Sequence, residues 1–128
     1  MIIRVTMLLL CGIGLYASAF MARKAGRAAR GELMEPSVVA TPRARAVGGI
    51  PNAAIGLAYY AAVALALPFL QVPLVWVLVL AAATGAAAFS AYLAYSLLFV
   101  TRMPCVYCWT GHVVNWSLVL LAVLARPE

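Results

Sequence analysis

Four long apolar stretches, parted by short polar or proline-bearing breaks, set the pattern of this 128-residue chain. The first runs from Val5 to Ala22 and is followed at once by Arg23, Lys24, Arg27 and Arg30. The second opens near Pro51, a residue suited to the first turn of a helix, and continues to about Leu70. The third covers Leu74 to Val100, and the fourth Cys105 to Leu124. A helix needs roughly 20 apolar residues to cross about 30 Å of hydrocarbon, and each stretch comes close to that or exceeds it. The predicted fold class is therefore all-α: a four-transmembrane-helix bundle in a single domain over 1–128, with helices at about 5–22, 51–70, 74–100 and 105–124.

The breaks predict how the helices connect. Pro68 and Pro73 bracket a turn so short that helices two and three are expected to be antiparallel neighbours. Thr101-Arg102-Met103-Pro104 makes a second tight turn. The third stretch exceeds what a bilayer requires, which predicts a tilted or protruding helix. Residues 23–49 form the one sizeable polar connection. Its first part, Arg23 to Leu33, is rich in Ala and Arg and fits a short helix lying on the membrane surface. Pro36, Pro42, Gly48 and Gly49 then break regular structure. Small residues recur every fourth position at Ala54, Ala58, Ala62 and Ala66, and again at Ala82, Ala86, Ser90 and Ala94. Such stripes let helix backbones approach closely.

The first stretch has one competing reading, because Ala17-Ser18-Ala19 resembles a signal cleavage site. Only Arg4 precedes it, however, and the basic cluster behind it resists translocation. Leu10 stands before Cys11 where a lipoprotein signal needs a small residue. The segment is read as helix one.

Composition agrees with a lipid solvent: 67% of residues are hydrophobic, 9% are charged, and the mean hydropathy is +1.06. A water-soluble domain carries far more charge. The net charge of +6 does not point to nucleic acid, since six of the nine basic residues lie between Arg23 and Arg45, flanking apolar segments. There they meet anionic headgroups and set topology. Arg4 and Arg126 fall on one side of the predicted bundle, and Arg23, Lys24, Arg27, Arg30, Arg43, Arg45 and Arg102 on the other. Positive-inside bias therefore places the second side, where helix four begins, in the cytoplasm of a multi-pass cell-membrane protein.

The chemistry concentrates at that helix start. Three cysteines make no disulfide framework, and Cys11, inside an apolar run, reads as a small buried hydrophobe. Cys105 and Cys108 are different. Two intervening residues at a helix start put both sulfurs on one turn, with the first facing free N–H groups and the positive end of the helix dipole. That suits disulfide exchange. His112 lies seven and four residues beyond the two cysteines, on the same face, so Cys105, Cys108 and His112 also form three possible ligands for zinc or copper. A closed zinc site needs a fourth. The alternative function is thus a membrane metal-binding or carrier protein without redox turnover. If the helices alternate in direction, Asn52 at the start of helix two shares a pocket with His112 and the cysteines. Tyr59, Tyr60, Tyr107 and Trp109 wall it. Hydrogen-bonding groups at opposite ends of an aromatic pocket suit a flat ring with two carbonyls, a quinone. Asn52 can equally serve as a helix N-terminal group, the aromatic residues as interfacial anchors, and Asn115 as a helix–helix hydrogen bond.

Cys-Val-Tyr-Cys at 105–108 followed by His112 and Asn115, with Gly49-Ile50-Pro51-Asn52-Ala53-Ala54-Ile55-Gly56-Leu57-Ala58-Tyr59-Tyr60 opening helix two, resembles the vitamin K epoxide reductase family over about residues 48–120. The resemblance implies a membrane thiol:disulfide oxidoreductase that passes electrons from dithiols to a quinone of the menaquinone or ubiquinone type and supports disulfide-bond formation. It implies Cys108 as the quinone-facing thiol and Cys105 as the exchanging one. Asn52 matches a quinone-bonding asparagine, and His112 stands where animal members carry a quinone-contacting tyrosine. The resemblance also implies a thioredoxin-like or small dithiol donor. The family normally relays electrons through a second cysteine pair in the loop after helix one, but residues 23–49 contain no cysteine. A donor must then reach Cys105 directly. Many members act outside the cytoplasm, which is the opposite orientation to the one the charges predict.

Overall fold

The computed structural model describes all 128 residues, the side chain of Val47 excepted. Four α-helices make up the bundle: α1 (Ile2–Ala29), α2 (Asn52–Ala66), α3 (Pro73–Ser96) and α4 (Val106–Leu124). All four, with the short 3-10 turn Leu67–Phe69 closing α2, are long and apolar enough to cross a membrane. Among the described residues there is no strand, only one isolated bridge between Arg45 and Pro51. The fold is the expected all-α bundle of four membrane-spanning helices.

Helix boundaries depart from the hydropathy in one place. No separate surface helix forms at 23–33; α1 runs unbroken through Arg23, Lys24 and Arg27 to Ala29. Alanine and arginine are strong helix formers, so backbone bonding carries the helix past the point where hydropathy ends. At 1.5 Å per residue its 28 residues reach about 42 Å, which puts the basic last turns beyond about 30 Å of hydrocarbon. There Lys24 meets Glu35 at 3.9 Å and Arg30 meets Glu32 at 2.8 Å. The hydrogen bond from Arg30 holds the exposed Glu32 carboxyl below its ordinary range.

Packing pairs the helices as α1 with α2, α3 with α4, and α1 with α4. Helices α2 and α3, although joined by a short turn, barely touch. The α2 stripe leaves Ala58 and Ala62 exposed, and the α3 stripe leaves Ala82 exposed but buries Ser90 and Ala94. Glycines make the tight contact instead, between α1 and α2. A Cβ added to Gly14 would stand 2.6 Å from the Tyr60 ring, and one added to Gly56 would stand 2.7 Å from Ser18 Oγ. Only a residue without a side chain leaves room there for the Tyr60 ring and the Ser18 hydroxyl.

The buried core lies at the end of the bundle away from α4's start. Met7, Cys11, Val63, Leu67, Leu70, Val79, Leu118 and Ala122 fill it. Cys11 is the buried hydrophobe expected of it. Trp76 Nε1 donates to the Ala122 carbonyl at 2.8 Å and fastens α3 to α4 there. At the other end, residues 30–51 cross the bundle in short 3-10 turns. Gly48 and Gly49 both take positive φ, 81° and 75°, which lets Ala46 N–H reach the Ile50 carbonyl at 2.8 Å just before α2.

Candidate functional site

Helix α3 ends in a wide π turn, Leu97–Thr101, and Arg102 then adopts φ 52°. This turn leads the chain into the extended backbone of Cys105, which is the N-cap of α4. The Cys105 sulfur accepts the Cys108 N–H at 3.2 Å, so the first cysteine satisfies one of the free donors that every helix start leaves. Cys105 and Cys108 are joined as a disulfide with their Cα atoms 5.3 Å apart.

The two cysteines face different surroundings. Cys108 lines a cavity of about 430 Å³, within the usual range for small-molecule sites, whereas Cys105 does not border it. Neighbouring Val106 is 78% exposed, while Cys105 and Cys108 are both part-buried. Tyr107 also lines the cavity and stacks on Phe20 of α1, ring centres 4.0 Å apart, which anchors the turn that carries both sulfurs.

The cavity gathers the residues the sequence singled out. Asn52, Tyr59, Tyr60, Tyr107, Cys108 and His112 all line it. Trp109 does not; it sits edge-on to His112, ring centres 5.7 Å apart. Thr110 turns its hydroxyl back to the Val106 carbonyl at 2.8 Å and takes no part. His112 is buried between Trp109 and Trp116.

Two polar atoms at the cavity are buried without a protein partner: Asn52 Oδ1 and the Tyr59 hydroxyl. A buried polar atom left unpaired is costly, so such atoms mark where a ligand or water belongs. Asn52 does not cap its helix. Its Nδ2 donates to the Arg43 carbonyl at 2.8 Å, and since a carbonyl only accepts, Oδ1 is the free end. Asn115 does bind helix to helix. It accepts from the Tyr60 hydroxyl at 2.8 Å and donates to Ser90 Oγ at 2.6 Å, tying α2, α4 and α3 together across the cavity wall.

Where α2 and α3 part, the cavity wall consists of Ile55 on one helix and Ala82, Gly85 and Phe89 on the other, all exposed. With α2 and α3 barely in contact, the cavity is open between these two helices. Arg43, Ser90 and Ser96 also line it, and the sequence does not single them out as site residues. A signal was present in α3. Tyr92 and Ser96 are polar groups four residues apart on one face of a largely apolar helix.

The metal alternative requires Cys105, Cys108 and His112 to converge on one ion. Among the described residues no three His, Cys, Asp or Glu side chains are grouped in that way.

With this geometry in view, the match to known proteins is specific: the model of the vitamin K epoxide reductase family fits residues 5–123. The chain belongs to that family. The match reaches into α1, beyond the 48–120 that the sequence motifs span. No curated protein matches the chain. Membership of the vitamin K epoxide reductase family makes this a multi-pass membrane protein of the thiol–disulfide oxidoreductase class, and that family uses quinones.

Proposed function

We propose that this protein oxidises dithiols through Cys105 and Cys108 and passes the electrons to a quinone held in the cavity beside Cys108. One observation carries the reading: of the two joined cysteines only Cys108 lines the apolar cavity, which contains two unpaired polar atoms. Asn52, Tyr59, Tyr107 and His112 are the residues that would hold the ring. The Tyr59 hydroxyl suits a carbonyl of the oxidised form, and Asn52 Oδ1 suits a hydroxyl of the reduced form. The opening between α2 and α3 suits the apolar tail of a menaquinone- or ubiquinone-type molecule. Bound there, a quinone supplies a two-electron, two-proton acceptor.

The chain's own residues do the exchange. A donor thiolate attacks Cys105 Sγ, forms a mixed disulfide and releases Cys108 as a thiolate. The donor's second thiol then displaces Cys105 and leaves as an oxidised disulfide. The start of α4 stabilises the thiolates through free N–H groups and the positive end of the helix. Loss of two electrons by way of Cys108 restores the Cys105–Cys108 disulfide. No cysteine lies in residues 23–49, so the donor, a thioredoxin-like protein or a small dithiol, meets Cys105 without a relay. The charge distribution favours a cytoplasmic position for this site. Labelling of the reduced cysteines in intact cells with an impermeant thiol reagent tests that orientation, and efficient labelling would reverse it.

The function is tested by dithiol-driven quinone reduction with purified protein. Cys108→Ala is expected to reduce turnover to the uncatalysed background. Cys105→Ala is expected to lose exchange with the donor. Full quinone reduction by Cys108→Ala protein would sink this mechanism.

A further inference from the structure

We propose that Arg43 is a positioning residue for the quinone site: its side chain straps residues 31–51 to α3, and its carbonyl holds Asn52 with Oδ1 turned to the cavity. The inference rests on the quinone reading above and adds to it the part that fixes Asn52.

Arg43 touches both walls of the cavity from the one polar connection. Its Nη1 donates to the Tyr92 hydroxyl at 2.6 Å and to Ser96 Oγ at 2.9 Å, both on α3. The guanidinium carbon lies 5.4 Å from the centre of the Tyr92 ring, within reach of a cation–π attraction. The carbonyl of the same residue accepts from Asn52 Nδ2 at 2.8 Å on α2. One residue thus bridges the two helices that otherwise barely touch, on the side where the cavity is open.

The surroundings argue that this placement has a use. Ser96 is only 2% exposed and gives its hydroxyl to Arg43 as an acceptor deep in the wall. Arg43 itself is half-buried and belongs to neither of the two ion pairs among the described residues, Lys24–Glu35 and Arg30–Glu32. Partial burial of a charge without a counter-ion is costly, and the hydrogen bonds to α3 are its compensation. The segment between Arg43 and Asn52 is short and internally tied. Ala46 N–H bonds the Ile50 carbonyl, and Arg45 Nη1 bonds the Gly49 carbonyl at 2.8 Å. A shift of Arg43 therefore passes to Asn52 both directly and through this turn.

Two measurements test the strap. The first needs no quinone: amide hydrogen exchange over residues 38–50. Arg43→Gln is expected to speed exchange by about tenfold, the factor of about 1.4 kcal/mol that lost charge-assisted hydrogen bonds make. Tyr92→Phe combined with Ser96→Ala removes the acceptors on α3, keeps Arg43, and is expected to do the same. Arg43→Lys, which retains charge and donors, is expected to recover part of the protection.

The second is quinone reduction, read as separate KM and kcat. Arg43→Gln and Asn52→Ala are each expected to raise the quinone KM about tenfold with kcat little changed, because both remove ground-state binding. The double variant is expected to be no worse than the worse single one, since both act on the same contact. Effects that multiply toward a hundredfold, or an Asn52→Ala effect without an Arg43→Gln effect, overturn the strap while leaving the quinone reading intact. An unchanged KM in Asn52→Ala protein overturns the assignment of Asn52 itself and the strap with it.

Discussion

The two ends of this bundle are built from the same four helices and differ in almost every other respect. At the closed end, Met7, Leu70 and Leu118 are fully buried, and Trp76 locks α3 to α4. At the cysteine end, the helices enclose a cavity, and the polar contacts among Tyr60, Asn115, Ser90, Arg43 and Asn52 lie around it. The difference shows how a lipid-immersed bundle divides its labour. Helices in lipid associate by packing and occasional hydrogen bonds, not by escape from water. Branched apolar side chains that interlock close one end. The small residues Gly56, Ala82 and Gly85 line the cavity at the other, where Asn115 ties its walls together through Tyr60 and Ser90.

Substitutions at the closed end are the strongest test of that division. Leu118→Ala is expected to destabilise by about 2–5 kcal/mol, read as thermal unfolding in detergent, because a fully buried leucine leaves a cavity behind. Quinone KM should stay unchanged in the folded fraction. A large KM change there would erase the distinction between the two ends.

Gly14→Ala probes the boundary between them. The added methyl meets the Tyr60 ring, which its hydroxyl bond to Asn115 holds in place. We expect a cost of about 1–3 kcal/mol from overpacking. Here the quinone KM should rise as well, since Tyr60 lines the cavity. Unfolding and KM measured on the same preparation check both effects, and a stability loss with no KM change would detach Tyr60 from the site.

Thr110→Val should do least. The Thr110 hydroxyl bonds within its own helix, so we expect a stability change within about 0.5 kcal/mol and unaltered turnover. A clear loss of activity would place a proton or ligand contact where none is visible.

The sequence made some of this legible and left some hidden, for physical reasons. Hydropathy registers the solvent that a helix meets, so all four spans were visible in it. Hydropathy says nothing of where backbone bonding stops, and the Ala- and Arg-rich tail of α1 therefore read as a separate piece. The cysteine pair, His112 and Asn52 stood out because polar groups are scarce in an apolar chain. Arg43 did not, because one arginine among six basic residues between positions 23 and 45 carries no mark of its own. Only the fold brings it against Tyr92 and Ser96, 49 and 53 positions away. The alanine stripes were legible only as faces, for a related reason. Spacing every fourth residue defines a face but does not name its partner, and Gly14 with Gly56 supplied the close contact instead.

The central claim is that the disulfide has two sides, with Cys108 toward the cavity and Cys105 toward the donor. Reduced Cys105→Ala and Cys108→Ala proteins, each exposed to an apolar electrophilic quinone and, separately, to a charged maleimide, test it most directly by intact mass and peptide mapping. The account predicts that the quinone marks Cys108 and that the charged reagent marks Cys105. The reverse pattern, or equal reaction of the two cysteines with both reagents, would contradict it.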